Sequence, residues 1–400
     1  MRWLLVLAAL VGSVQSASAV DVLTSRSTLA RTGINTDERV LTPAAVGGGR
    51  FGKLWTLYAD GQVVAQPLYV SGLAVDTSSN PNAPRVQGTF NAVLVATMHN
   101  TVYLYDADQE RPGPEGRNVP LWATWLGQPR PGGAGIDMFF TNDPEWGILS
   151  TPVIDPSKSI VYVVAWHDDG GGNYRYRLHA LRLKDGIHLA PAMVLDAPGL
   201  NAKNQKQRAG LALAGGVLYV ALGGDGNRGL LLAYDATTLA RKAVWASTPT
   251  GKDGGIWQAG QAPAVDADGH IYLMTGNGTF GANAGGTNYG QSFVKLRLEG
   301  DALVVKDHFT PCNAIVQNSK DMDLGSAGPV LVPGANLVFG AGISWAALRA
   351  PSAATGIRSL ATTRSGARPR ASIAAPRYSA ESARVIPDGG VRLTLVTFPL

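Results

Sequence analysis

A short phrase returns four times along this chain and limits its fold more than any other feature. Each copy is a β-rich run, a turn rich in glycine, asparagine or aspartate, and a second run closing on an aromatic or leucine and a polar residue. The copies end at Asp106, Arg182, Asp235 and Arg297, at intervals of 76, 53 and 62 residues. Self-similarity at this scale marks a propeller or a solenoid, in which one unit cannot bury its apolar face alone and neighbours must stack. The 49 glycines and turn pairs such as Asp60-Gly61, Asp185-Gly186 and Asn277-Gly278 favour many short antiparallel strands. The expected fold class is all-β, a β-propeller.

Within each unit a short first strand is expected near residues 66–69, 150–153, 209–212, 262–265 and 328–331. Several of these carry proline, whose missing N–H is harmless at a strand's start. Polar outer strands are expected at 121–124 and 243–246, and 53–57 reads as an outer strand donated to close the ring. The count is four complete blades and the start of a fifth, spanning 20–342. The pattern then stops at Gly342. Residues 343–400 form an irregular tail rich in alanine, serine and arginine, and only 391–398 looks strand-like again. Two readings of this tail stand: a change of reading frame near residue 343, or a basic, disordered extension.

The net charge of +5 comes from that tail, which holds eight arginines against Glu381 and Asp388. The remaining 342 residues carry 26 basic and 27 acidic side chains. A near-neutral body lacks the clustered basic face that nucleic acid requires, so no nucleic-acid partner is expected. Residues 1–19 read as a secretory signal: Arg2, an apolar stretch over 3–14, then Ala17-Ser18-Ala19 as a small-residue cleavage site. No run reaches the roughly 18 apolar residues of a membrane helix. The expected location is the periplasm or the exterior. Cys312 is the sole cysteine, so no intramolecular disulfide can form and the core alone must hold the fold.

Most chemical motifs are missing. Gly224, Gly226 and Gly229 fit GxGxxG around Asp225, but a strand-like run follows where a dinucleotide site needs a helix, so the glycines read as a hairpin turn. The six histidines show no zinc-site spacing. There is no GxSxG elbow and no phosphate-binding loop.

Residues 254–280, with Trp257 and Thr275-Gly276-Asn277, together with Asp321-Met322-Asp323-Leu324-Gly325, resemble the pyrroloquinoline-quinone (PQQ) dehydrogenase-like propellers. Further phrases extend the resemblance over roughly 40–342, among them ATMHNTVYLYDAD, EWGILSTPVID and DLGSAGPVL. The resemblance implies a quinoprotein alcohol dehydrogenase-like propeller, with this chain holding four to five blades of an eight-bladed parent. It implies Trp257 as the floor beneath the quinone, Asn277 as a calcium ligand and Asp323 as general base. It also implies an acidic calcium ligand in the second-blade hairpin, for which Asp168 or Asp169 stands in; Asp169 is taken here. The chemistry is coherent: a flat quinone needs an aromatic platform, and a hard cation takes oxygen ligands and polarises a carbonyl. A carboxylate can then take the alcohol proton.

Each residue also has a structural alternative. Trp257 can be blade packing, Asn277-Gly278 a turn pair and Asp323 a turn cap. The family also pairs adjacent cysteines against the quinone and places a cation where Ile343 stands. The expectation is therefore an exported, non-catalytic binding or scaffold propeller with a protein or small-molecule ligand at its mouth. The alternative is a PQQ- and calcium-dependent alcohol or sugar dehydrogenase.

Overall fold

The structure is a computed structural model that describes residues 20–39, 41–47, 52–132, 145–224, 226–342 and, as backbone, 393–396. The expected signal at 1–19 lies outside the described residues, as do Asp225, Ile343 and all of the tail except 393–396.

Among the described residues five antiparallel blade sheets follow one another along the chain, with a two-stranded pair, Arg130–Pro131 and Glu145–Trp146, between the first two. The first four have four strands each in meander order, and the fifth has three. Blade 1 comprises Leu68–Asp76, Gln87–Ala96, Thr101–Asp106 and Trp122–Trp125. Blade 2 comprises Val153–Asp155, Ile160–Asp168, Tyr174–Arg182 and Met193–Val194. Blade 3 comprises Ala212–Ala214, Val217–Leu222, Leu230–Asp235 and Arg241–Ala246. Blade 4 comprises Ala264–Val265, His270–Met274, Phe293–Glu299 and Ala302–Phe309. Blade 5 comprises Val330–Val332, Leu337–Ala341 and Leu393–Val396, the last pairing Val396 with Val338 and Leu393 with Ala341. The strand-like run inside the tail is thus a strand of the fifth sheet.

The apolar runs of the inner strands follow from burial of both faces of a β-strand, whose side chains alternate between them. Val161, Val163 and Ala165 point into a cluster with Leu68, Leu94 and Leu104 of blade 1. Their neighbours Tyr162, Val164 and Trp166 point the other way, to Leu218, Val220 and Leu232 of blade 3. Blades 3 and 4 share Ala221, Leu231, Leu273 and Val294, and blades 4 and 5 share Tyr272, Met274, Phe293 and Val338. Both faces of each middle sheet are buried, so alternation between polar and apolar residues disappears and the inner hairpins read as continuous apolar runs. Each fully buried Val or Leu contributes about 1.5–3 kcal/mol.

In each of the first four blades an aspartate at or just past the end of a strand caps the turn that follows it. Asp106 Oδ1 accepts from the N–H groups of Asp108 (2.9 Å) and Gln109 (3.2 Å), and Asp235 Oδ1 from those of Thr237 and Thr238 (both 2.9 Å). Asp155 and Asp266 cap Ser157 and Asp268 in the same way. The side chain satisfies donors that the turn frees from the ladder.

The segment before the first blade crosses from blade to blade. Val22 exchanges both backbone hydrogen bonds with Tyr69 of blade 1 (2.9 and 3.0 Å), and Leu23 O accepts from Ile154 N of blade 2 (2.8 Å). Leu29 O accepts from Val265 N of blade 4 and Ala30 O from Leu331 N of blade 5, each at 2.9 Å. Arg31 closes the segment. Its side chain is fully buried and donates to Pro263 O (3.0 Å), Thr24 Oγ1 (2.7 Å), Ser25 O (3.0 Å) and Thr28 O (3.2 Å). Burial pushes its guanidinium down to about 9, which leaves it charged at neutral pH.

The expected closing strand at 53–57 is not one. These residues have no ladder partner, and Leu54 is 80% exposed. A strand needs an edge to pair with, and this stretch finds side chains instead. Tyr105 donates its hydroxyl to Tyr58 O, and Leu57 packs on Val95, Tyr103 and Tyr105. No helix among the described residues is long and apolar enough to cross a membrane.

Arg31→Met removes four donated hydrogen bonds and strands their acceptors. It is expected to lower unfolding free energy by about 3 kcal/mol, read as a fall in the urea midpoint. A second expectation concerns Asp266. Burial raises its pKa, but hydrogen bonds from His270 N, the Tyr272 hydroxyl and the His270 ring outweigh that and hold it below the ordinary carboxylate value. A depressed carboxylate stabilises the fold above its unfolded pKa, and that stability disappears as pH falls through the folded pKa. Asp266→Asn should therefore cost about 1 kcal/mol at pH 7, and urea titrations should show the gap to the parent narrowing toward pH 3.

Candidate cofactor site at the propeller mouth

Trp257 lies in the connection between blades 3 and 4 and caps a short 3₁₀ turn, Gln258–Gly260. Its indole is half-buried and lies in a cradle of close backbone. A Cβ on Gly223 would come within 2.9 Å of the ring and one on Gly255 within 2.7 Å of Nε1. Glycine is needed at both positions because the backbone runs against the ring.

Gly276 joins this ring to the acidic segment. A Cβ there would meet both Trp257 Cδ1 and Asp323 Oδ1. The next residue continues the link: Asn277 donates its backbone N–H to Asp323 Oδ1 (2.5 Å) and its Nδ2 to Asp321 Oδ1 (2.5 Å). Gln291, fully buried, donates Nε2 to Asn277 Oδ1 and to Met322 O (3.3 Å), while its Oε1 accepts from Leu324 N (2.8 Å). A short helix, Ala314–Ser319, carries Asn318, which pairs both ways with the Gly278 backbone (3.2 and 2.8 Å). These contacts dock residues 318–324 onto the turn that ends strand His270–Met274.

Lys206 reaches the Trp257 ring from the connection between blades 2 and 3. Its backbone pairs with Gly223. Its ammonium stands 5.5 Å from the Trp146 ring centre and 5.9 Å from that of Trp257, within cation–π range of both.

Of the four residues singled out from sequence, Trp257, Asn277 and Asp323 meet around Gly276. Asp169 does not join them. It sits in the hairpin of blade 2, where Arg177 clamps its carboxylate with two bonds of 2.7 and 2.9 Å. The Arg177 hydrogen bond holds its pKa below the ordinary value. A carboxylate next to a flexible guanidinium is captured as a bidentate pair. The GxGxxG glycines connect two paired strands, Val217–Leu222 and Leu230–Asp235, as the hairpin reading requires.

Sequence reading missed Asp321, Gln291 and Lys206. Asp321 had a signal, since it lies two residues before Asp323. It also missed a row of three imidazoles, His167, His179 and His188, in a separate cleft of blade 2. Desolvation pushes His167 down to about 4 and His179 to about 2, so both are neutral at neutral pH.

No family model matches the chain, and no curated protein matches it. Solved structures do. A quinohemoprotein alcohol dehydrogenase from Comamonas testosteroni superposes with a TM-score of 0.56 at 19% identity, over 82% of this chain and 47% of that one. A second quinohemoprotein alcohol dehydrogenase, from Pseudomonas putida HK5, gives 0.54 at 16% identity, over 82% and 45%. The chain therefore spans about half the length of these neighbours. The sheets and the superposition define its fold as a propeller of the quinoprotein alcohol dehydrogenase-like type.

Gly276→Ala should separate the acidic segment from Trp257, because the added methyl has no room between Asp323 and the ring. The expected result is a changed near-ultraviolet dichroism and Trp fluorescence with an unchanged far-ultraviolet spectrum.

Proposed function

We propose that the chain is an exported propeller whose mouth binds a planar, carboxylated quinone of the PQQ type together with a calcium-class cation, and that it acts as a binding or scaffold protein. The observation that carries this reading is the meeting of Trp257, Asn277 and Asp323 around Gly276. The residues suit such a ligand. Trp257 offers an aromatic face. Asn277, Asp321 and Asp323 offer the oxygen donors that a hard cation takes. Lys206 offers a positive charge for a ligand carboxylate. Export rests on the pattern of residues 1–19.

A second reading is a dehydrogenase, favoured by one observation: Asp323 places a carboxylate beside Trp257, where it could take a proton from an alcohol. The neighbours named as quinohemoprotein alcohol dehydrogenases belong to that class. The bound quinone would supply two-electron acceptance, and the protein would supply position and the proton acceptor. Binding without turnover is preferred because the single cysteine cannot provide the paired sulfurs that the family resemblance implies.

Thermal melts with PQQ and calcium chloride test the proposal. Ligand at about 100 times its Kd stabilises by about 2.7 kcal/mol, so a clear rise in Tm is expected. The rise should be absent in Trp257→Ala and in Asp323→Ala. No rise in the parent protein at saturating PQQ would reject a cofactor site. Dye-linked oxidation of alcohols or sugars that vanishes in Asp323→Ala would establish the second reading in place of the first.

A further inference from the structure

We infer that His167 and His179 form the protein half of a second site, for a divalent transition metal such as copper or zinc, with His188 setting the tautomer of His179. The site is independent of the mouth and of its ligand.

His167 is the penultimate residue of the strand Ile160–Asp168 and pairs with Arg175, whereas His179 pairs with Val163 on the same ladder. The two are four ladder positions apart, yet their rings lean together. The ring centres lie 5.3 Å apart with planes at 28°, and Nε2 faces Nε2 at 3.2 Å. Both residues are almost fully buried, at 3% and 2% exposure. On the other side of His179, Nδ1 lies 2.9 Å from Nε2 of the exposed His188.

Two imidazole nitrogens cannot face each other as bare lone pairs. Either one carries a proton toward the other, or a cation lies between them. In the first state protons pass along the row as ordinary hydrogen bonds. In the second, His179 donates Nδ1–H to His188 Nε2, which frees its Nε2 lone pair for a metal. Metal-bound histidines characteristically donate their other N–H in this way. Nitrogens 3.2 Å apart, each about 2.0–2.1 Å from one metal ion, subtend roughly 100°, close to tetrahedral. Exchange of a proton for a metal ion thus needs no movement of the strands.

The surroundings leave room for the other ligands. The row borders a cleft of about 650 Å³ whose walls include Gly127, Gln128 and Asp168. The nearby charge of Arg177 is taken up by Asp169. Imidazole nitrogen as donor favours copper and zinc over calcium, which takes oxygen.

The test is titration of the untagged full chain, in a Cys312→Ser background, with copper sulfate and zinc chloride. Calorimetry should give one tight site per chain, and the copper form should show nitrogen hyperfine structure from two imidazoles in electron paramagnetic resonance. The site should vanish in the double variant His167→Gln/His179→Gln, with circular dichroism confirming its fold. His188→Gln should keep the stoichiometry and weaken binding about 10- to 100-fold. Affinity in the parent no higher than in the double variant would overturn the inference. Should the double variant not fold, the surface variant decides: unchanged affinity in His188→Gln overturns the assignment, and a 10-fold loss sustains it.

Discussion

A strand that pairs on one side leaves a row of N–H and C=O groups on the other, and buried rows of this kind must find partners. Here the first strand of every blade presents such a row. The segment from Val22 to Arg31 answers it for blades 1, 2, 4 and 5. Blade 3 is served by its neighbours: Leu211 N donates to Thr151 O and Gly210 N to Gln261 O. Ten residues thus tie the sheets together by backbone bonds, and the buried Arg31 guanidinium holds those ten residues in shape. The packing between sheets, though larger in total, is interchangeable in kind. These bonds fix which blade sits beside which, and so fix where the connecting segments that carry Trp257 and Asp323 must emerge.

The repeat made the fold readable because each copy states the same apolar inner hairpin, bounded by turn residues. The predicted first strands start two or three residues before the observed ones, since proline and glycine mark their starts. Residues 53–57 misled because their alternation is that of a strand, while pairing depends on an available edge that local sequence does not encode. The site divides along the same line. Trp257, Asn277 and Asp323 stand in compact motifs on adjoining connections, and the structure brings them together. Asp169 looked equivalent by residue type, but Arg177, eight residues on, claims its carboxylate. His167, His179 and His188 share no spacing rule, because what unites them is a lean across the ladder rather than a register.

The mouth and the histidine row show two ways of presenting polar groups. Around Gly276, amides hold the carboxylates: Asn277 N on Asp323 and Asn277 Nδ2 on Asp321, with the Gln291 side chain bridging Asn277 to Met322 and Leu324. Glycines at 223, 255 and 276 bring main chain against Trp257, so the ring has little freedom to turn. In the histidine row the groups hold one another, and burial removes competing water. The first arrangement is set by backbone geometry, the second by proton positions.

The segment that joins the blades precedes all five of them along the chain and must reach across most of its length. Arg31 bonds to Pro263, 232 residues away, and Ala30 bonds to Leu331. Contacts of such sequence separation slow folding, because loop closure must precede their reward. Val22 and Leu23 can pair as soon as the first two blades form, but Leu29, Ala30 and Arg31 cannot complete their bonds until the fourth and fifth sheets exist. The sheets can thus form before the segment that joins them is fixed, and the contacts that join them come late.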